Sequence, residues 1–447
     1  MDGVTGPQPS AAGEPLVSVV GVDAGGAPPH PVVAPLLARA GLVVGAARHL
    51  AVVPVPAGAA TIVLGPLAPA LDRLAAAVVA GTPAVVLASG DPGFFGIVRR
   101  LRAAGLPIRV LPAVSSVAAA FARAGLDSDG AAVVTAHGRD LRPALNACRA
   151  LPAVAVLTAP GAGAAEIGAG LVGWPRHLVV AEHLGTDAER VTWTTAEAAA
   201  GRAWADPHVL LSLAPADIAG PGSPDPTGGG APTGGEAAAA EAGPVGGHLP
   251  PGVGPVRGDN QPAAAPAGGW ALPESAYDHR DSMITKAEVR ALAVARLRPR
   301  LGRLIWDVGA GSGSVGIECA LLGAAVIAVD RDPTAPVAAN AARHGVHLRV
   351  VTGEAPAALR GLPDPDAVFV GGGGADVLDA VAVRRPDRVV VTLAALDRVA
   401  PAVHLLRAAG YAVSGSQLAA ARLADLPGGS VRLAATNPVV VLTGERP

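Results

Sequence analysis

At 447 residues the chain exceeds what one hydrophobic core usually holds, so two or three domains are expected. A formal charge of −2 excludes a nucleic-acid binder held by a general basic field. Hydrophobic residues reach 51% but aromatic ones only 2%, so the cores are expected to be aliphatic and finely packed.

The N-terminal stretch MDGVTGPQPSAAGEP has neither a basic nor an apolar signal region, which implies no secretory export. Strands are predicted at LVSVVGV (16–22) and AVVLASG (84–90). The uncharged run Leu50–Leu71 between them contains Pro54, Pro56, Pro66 and Pro69, which spoil it as a membrane helix. A helix GFFGIVRRLRAAG (93–105) and strands RVLPAV (109–114), AAVVTAH (131–137), AVAVLTA (153–159) and HLVVAEH (177–183) follow. Cys148 and Cys319 lie far apart, outside any CxxC or Cys/His cluster. No disulfide, structural zinc or other metal site is expected, and a reducing cytoplasm is the default location.

Half of residues 220–269 are Gly or Pro, with few large apolar side chains among them. Such a segment cannot bury enough surface to offset its ordering entropy. A flexible linker is predicted over 217–269, dividing a domain at 15–216 from another at 270–447. In the second, helix KAEVRALAVARL (286–297), strand LIWDV (304–308) and a helix from Ser314 come first. Strand AVIAVD (325–330), helix PTAPVAANAARHG (333–345) and strands LRVVTG (348–353) and DAVFVG (366–371) complete the series. That alternation predicts a doubly wound, mostly parallel α/β sheet, and the first domain reads as α/β too.

The turn DVGAGSGSVG (307–316) sets the carboxylate of Asp307 at a strand end, followed by Gly309, Gly311 and Gly313. Glycines there let the backbone turn sharply and a ligand approach without intervening Cβ atoms. Gly311, Gly313 and Gly316 also spell GxGxxG, the dinucleotide fingerprint, though out of register with the strand end. An acid before the glycines suits a cofactor with a cationic amino-acid part. Asp330, ending the next strand, stands where an acid accepts hydrogen bonds from ribose hydroxyls. S-adenosylmethionine (SAM) fits both acids; NAD(P) and a turn without ligand remain open.

In the first domain SGDP, Ser89, Gly90, Asp91 and Pro92, reads as a tight turn after an apolar strand. Ser115 reads as a helix N-cap beside Ser116. His137 and Arg139 flank a glycine after a strand, and a surface pair is their plain reading. Lys286 and Arg290, one turn apart on a predicted helix, face the same way, toward solvent or toward a ligand.

A wider set of motifs carries a resemblance. MITKAEVRAL (283–292), DVGAGSGSVGIECA (307–320), AVD (328–330), GEAP (353–356), DAVFVGGGG (366–374) and NPV (437–439) occur in that order. Together they resemble the C-terminal domain of the precorrin-6Y C5,15-methyltransferases of cobalamin biosynthesis. VVLASGDPGFFGIVRRL (85–101), VLPAVSSVAAAFARAGL (110–126), TAHGRDL (135–141), VLTAPGAG (156–163) and EHLGTDAERV (182–191) resemble the tetrapyrrole methylase fold joined to it. The family's first loop reads close to GxGPG, whereas Gly21–Gly26 reads GVDAGG, with Asp23 and Ala24 departing from it.

The resemblance implies an N-terminal tetrapyrrole methylase domain and a C-terminal Rossmann-like SAM methyltransferase domain. It implies SAM contacts at Asp307, Gly309, Gly311, Ser312, Gly313, Asp330, Glu354 and Ala355. In the first domain it implies them at Ser89, Gly90, Asp91, Pro92, Ser115 and Ser116. The implied substrate is precorrin-6Y or its cobalt analogue, methylated at C5 and C15 and decarboxylated at the ring C acetate to precorrin-8X. Methyl transfer is an in-line displacement that needs no protein nucleophile. Basic groups are then expected to grip peripheral carboxylates, with Lys286, Arg290, His137 and Arg139 as candidates. No nucleic-acid or membrane partner is expected, and monomer and homo-oligomer are both open. Two rivals remain: an NAD(P) oxidoreductase, and a chain whose first domain only binds or channels while the second catalyses.

Overall fold

Apolar runs build the sheets, and their period-two alternation divides the side chains between two cores. In the computed structural model, which describes residues 15–23, 31–94, 96–215, 269–280 and 284–447, the chain divides into two compact units at Pro215. Of the predicted linker 217–269, all but Gly269 lies outside the described residues.

The first unit holds two sheets. β1 (Val17–Val22), β2 (Leu42–Gly45), β3 (Ala60–Val63), β4 (Ala84–Ser89) and β5 (Ile108–Leu111) form a parallel sheet in the order β3-β2-β4-β1-β5. On β1, Val17 and Val19 enter one core with Leu42, Val86 and Leu101, while Val20 and Val22 enter another with Val43, Val85 and Leu87. All six residues of β1 are buried, as expected where helices cover both faces of a parallel sheet. The second sheet is mixed. β6 (Ala132–Thr135), β7 (Ala153–Leu157), β8 (His177–Glu182), β9 (Arg190–Thr195) and β10 (His208–Leu213) run in the order β6-β7-β10-β8-β9. β10 lies antiparallel to both its neighbours.

The second unit is one seven-stranded sheet. β11 (Leu304–Val308), β12 (Ala325–Asp330), β13 (Arg349–Thr352), β14 (Ala367–Val370) and β15 (Arg388–Leu393) form its doubly wound part. β16 (Ala412–Leu418), a separate hairpin of β17 (Ala421–Asp425) and β18 (Val431–Ala435), and β19 (Val439–Glu445) follow. The order β13-β12-β11-β14-β15-β19-β16 inserts β19 antiparallel between β15 and β16.

Two predicted helices are shorter than their sequence pattern. The one expected over 93–105 spans Ile97–Ala103, because the Asp91 carboxylate accepts the Gly93 amide at 2.7 Å and holds a turn before it. The one expected over 333–345 spans Val337–Arg343. Asp332 Oδ1 there accepts from both the amide and the hydroxyl of Thr334, and Pro336 stands at the cap.

Candidate active sites

In the second unit the strand order reverses direction about β11, which lies between β12 and β14. A crevice at the carboxyl ends of strands flanking such a point is where doubly wound folds take ligands. Gly309, Gly311 and Gly313 turn the chain there with φ of 75°, 55° and 75°. At Gly311 nothing lies within 4 Å of where a Cβ would stand, so the left-handed loop offers bare backbone to open space. The helix Ser314–Leu321 begins directly after it.

Asp307 is 1% exposed. Its Oδ2 accepts the Gly316 amide at 2.8 Å, while Oδ1 is buried without a hydrogen-bond partner among the described residues. Burial raises its pKa to about 7 against the Gly316 bond, and the charge of Asp330 adds to the rise. A buried carboxylate oxygen left unpaired is costly, and a cationic ligand would remove that cost. Asp330 Oδ2 accepts the Gly311 amide at 2.7 Å and Oδ1 the Asp332 amide at 2.9 Å. Each oxygen keeps a lone pair that ribose hydroxyls could use. Asp330 thus shapes the loop from the carboxyl end of β12. Asp330→Ala should weaken SAM binding about 10- to 100-fold, and calorimetry on the intact chain would show it. Unchanged affinity would remove Asp330 from the site.

Ser312 is buried, and its carbonyl accepts from Asn340 Nδ2 at 2.8 Å. Asn340 also donates to the Asp278 carbonyl at 2.9 Å and accepts the Asp278 amide at 2.8 Å, pinning the loop to the segment before the first helix. The Gly353 amide donates to the Asp330 carbonyl at 2.8 Å, which brings Glu354, exposed, and Ala355, half-buried, beside the end of β12.

Arg290 corrects the expectation. Lys286 is the N-cap of the helix Ala287–Leu297, half-buried, with ψ of 147°, so it does not share a helical face with Arg290. Arg290 is fully buried. Its Nε donates to Glu318 Oε1 at 2.6 Å, Nη1 to the Thr285 carbonyl at 2.7 Å, and Nη2 to the Leu272 carbonyl. Glu318 also accepts the amides of Ala271 and Leu272 and the Tyr277 hydroxyl. A guanidinium so enclosed cannot grip a substrate carboxylate.

In the first unit the carboxyl ends of β4, β1 and β5 meet. The Gly90 amide donates to the Val22 carbonyl at 2.6 Å and the Ala113 amide to the Gly90 carbonyl at 3.1 Å. A Cβ on Gly21 would stand 2.1 Å from the Gly90 carbonyl oxygen, so only glycine permits that approach. Ser89 is exposed at this edge, Gly90 and Pro92 are buried, and Asp91 is half-buried in the turn. Ser115 caps the helix Ser116–Ala124, accepting the Ala118 amide at 3.1 Å, and the Gly90 turn packs against it. Of the loop Gly21–Gly26, only Gly21, Val22 and Asp23 are described. His137 and Arg139 are exposed in the turn after β6, on the other sheet of this unit.

The sequence reading missed Asn340, Glu318 and Tyr277. Asn340 carried a signal, as a polar residue between Val337 and Ala341 on the buried stripe of its helix.

Residues 275–443 match a family model described as a precorrin methyltransferase domain, and 31–200 one described as tetrapyrrole (corrin/porphyrin) methylases. A curated relative from Sinorhizobium sp, named precorrin-6Y C(5,15)-methyltransferase (decarboxylating), is 37% identical over 76% of this chain and 74% of its own. The chain belongs to the precorrin-6Y C(5,15)-methyltransferase family. It is a methyltransferase, with a tetrapyrrole methylase fold in the first unit and a Rossmann-like methyltransferase fold in the second. The oxidoreductase reading of Gly311, Gly313 and Gly316 does not hold. A relative from Pyrobaculum calidifontis, named probable cobalt-precorrin-6B C(15)-methyltransferase (decarboxylating), is 36% identical over 38% of this chain and 94% of its own. The crystal structure of precorrin-6Y C5,15-methyltransferase from Geobacter metallireducens GS-15 is similar at 30% identity and a TM-score of 0.37, covering 40% of this chain and 97% of that one.

Proposed function

We propose that this enzyme methylates precorrin-6Y, or its cobalt analogue, at C5 and C15 and decarboxylates the ring C acetate, giving precorrin-8X in cobalamin biosynthesis. Residues 270–447 carry out decarboxylation and C15 methylation, residues 15–216 carry out C5 methylation, and 217–269 join them. That division is supported by the Pyrobaculum relative, whose name pairs C15 methylation with decarboxylation in a protein matching 38% of this chain. The observation that carries the reading is the buried Asp307 Oδ1, without a hydrogen-bond partner among the described residues, beside a left-handed glycine loop.

SAM, when bound, supplies the methyl group from a sulfonium centre. Asp307 would hold its ammonium group, Asp330 its ribose hydroxyls, and the Gly309–Gly313 backbone would lie against it, with Ser312 fixed behind by Asn340. In the first unit the Ser89–Pro92 turn and the Ser115–Ser116 helix start would make the contacts. The protein's part is to position and desolvate, since an electron-rich ring carbon is itself the nucleophile. Each methylation replaces a ring C–H by C–CH₃ and releases one proton. The reading is of a cytoplasmic enzyme; no helix among the described residues is long and apolar enough to cross a membrane.

Calorimetric titration with S-adenosylhomocysteine should count two sites per chain, and one site would overturn the bimodular reading. The halves 1–216 and 270–447, expressed separately and mixed, should give the doubly methylated, decarboxylated product. Turnover should be slower than in the intact chain at low enzyme concentration, because a tether holds the sites at an effective concentration on the order of millimolar. Product masses separate each methyl gain from the loss of CO₂. A second half that binds SAM but neither methylates nor decarboxylates would refute the division.

A further inference from the structure

Two basic side chains converge on one hydroxyl at the carboxyl edge of the first sheet. The helix Ala47–Val52 follows β2 and carries Arg48 and His49. Arg48 Nη2 donates to Ser89 Oγ at 3.0 Å, and His49 Nε2 lies 3.0 Å from the same oxygen. His49 is only 6% exposed, whereas Ser89 and Arg48 are exposed. Burial, with the Arg48 charge beside it, lowers the imidazole to about 4. Its ring is therefore neutral at physiological pH and brings no charge of its own.

No acidic side chain among the described residues pairs with Arg48. A guanidinium has five N–H donors in a planar fork suited to a carboxylate. The Ser89 contact leaves most of that fork unused. Ser89, held from behind by a buried ring, in turn anchors the guanidinium beside the turn that also holds Gly90 and packs on Ser115. The result is a cation held by a neutral hydroxyl and a neutral ring, with no acidic partner among the described residues, at the edge where three strand ends meet.

We propose that Arg48, anchored by Ser89 and backed by His49, is a carboxylate-binding subsite of the first unit. The inference rests on the reading that this crevice is the unit's methylation site. Two carboxylates could fill it there: one on the rim of the tetrapyrrole, or the α-carboxylate of SAM. Their shared chemistry is a planar anion able to take two parallel N–H donors.

The test uses the intact chain and Arg48→Ala, with Arg48→Lys retaining the charge without the fork. Equilibrium titrations with precorrin-6Y, followed by its absorbance, and with S-adenosylhomocysteine, followed by heat, are read separately. Binding at one of two sites should weaken about 10- to 100-fold in Arg48→Ala, with a smaller loss in Arg48→Lys. Loss in the tetrapyrrole titration assigns the macrocycle carboxylate, and loss in the other assigns the cofactor carboxylate. Hydrogen exchange in peptides of β1 and β4, unchanged from the wild type, shows that the first unit of the variant is folded. Both titrations unaltered would overturn the proposal. Neither requires turnover, so they still report on Arg48 if the first unit fails to methylate. That failure would show separately, as a wild-type product with a single added methyl.

Discussion

Asp307→Asn should weaken SAM binding at the second unit by roughly 30-fold or more, the loss expected when one partner of a buried charged pair is removed. Asparagine can still accept the Gly316 amide that the carboxylate now accepts at 2.8 Å, so the turn should survive. The wild-type affinity should also follow pH. Burial puts the free carboxyl near 7, and only its ionised form pairs with an ammonium. Affinity should therefore rise from pH 6 to about 7.5, with a proton released on binding, until the ligand's own amino group titrates near 8. The same raised pKa acts on stability without ligand. Below the ordinary carboxylate range the group costs the fold nothing; that advantage is lost as pH climbs toward about 7. Calorimetry at pH 6.5 in two buffers of different ionisation heat would detect the proton. A flat pH profile in the wild type would remove Asp307 as the ammonium ligand.

Asp307 was legible because its signal is local: an acid at a strand end and alternate glycines within one turn of chain. The largely buried strands β1, β4, β11 and β12 were legible for the same reason, as short apolar runs bounded by turn residues. β9 was not, because RVTWTT alternates polar residues on a half-exposed face. The place of β19 between β15 and β16 depends on pairing across many residues, which periodicity does not encode. Arg290 shows the commoner error. The one-turn spacing aligns two side chains only when both are helical, and Lys286 is not. The partner that decides its role, Glu318, lies 28 residues on in the chain. A clue was present, since Glu318 is the sole charge in SVGIECAL, a helix that otherwise reads as buried, and such a carboxylate requires a donor. Arg290 likewise sits among Val289, Ala293 and Val294 on the apolar stripe of its own helix.

Arg290→Met should destabilise the second unit by about 3–5 kcal/mol, the range for breaking a buried ion pair from one side. The cost comes from the partner left behind. Glu318 would keep the Ala271 and Leu272 amides and the Tyr277 hydroxyl but lose the counter-charge that, among the described residues, Arg290 alone supplies within a 0% exposed pair. Adding Glu318→Gln should return a large part of the loss, since the stranded charge is gone while its one oxygen can still accept the Leu272 amide and the Tyr277 hydroxyl. Urea-dependent hydrogen exchange in peptides of β11 and β14 would isolate this unit from the other. Below the unfolding range, the double variant should bind precorrin-6Y with nearly wild-type affinity, because the guanidinium never reaches the crevice. If instead the double variant regains stability yet loses tetrapyrrole binding more than tenfold, Arg290 does contact substrate in the working enzyme. The buried pair would then have to open during turnover, and the assignment of Arg290 to the scaffold would be wrong.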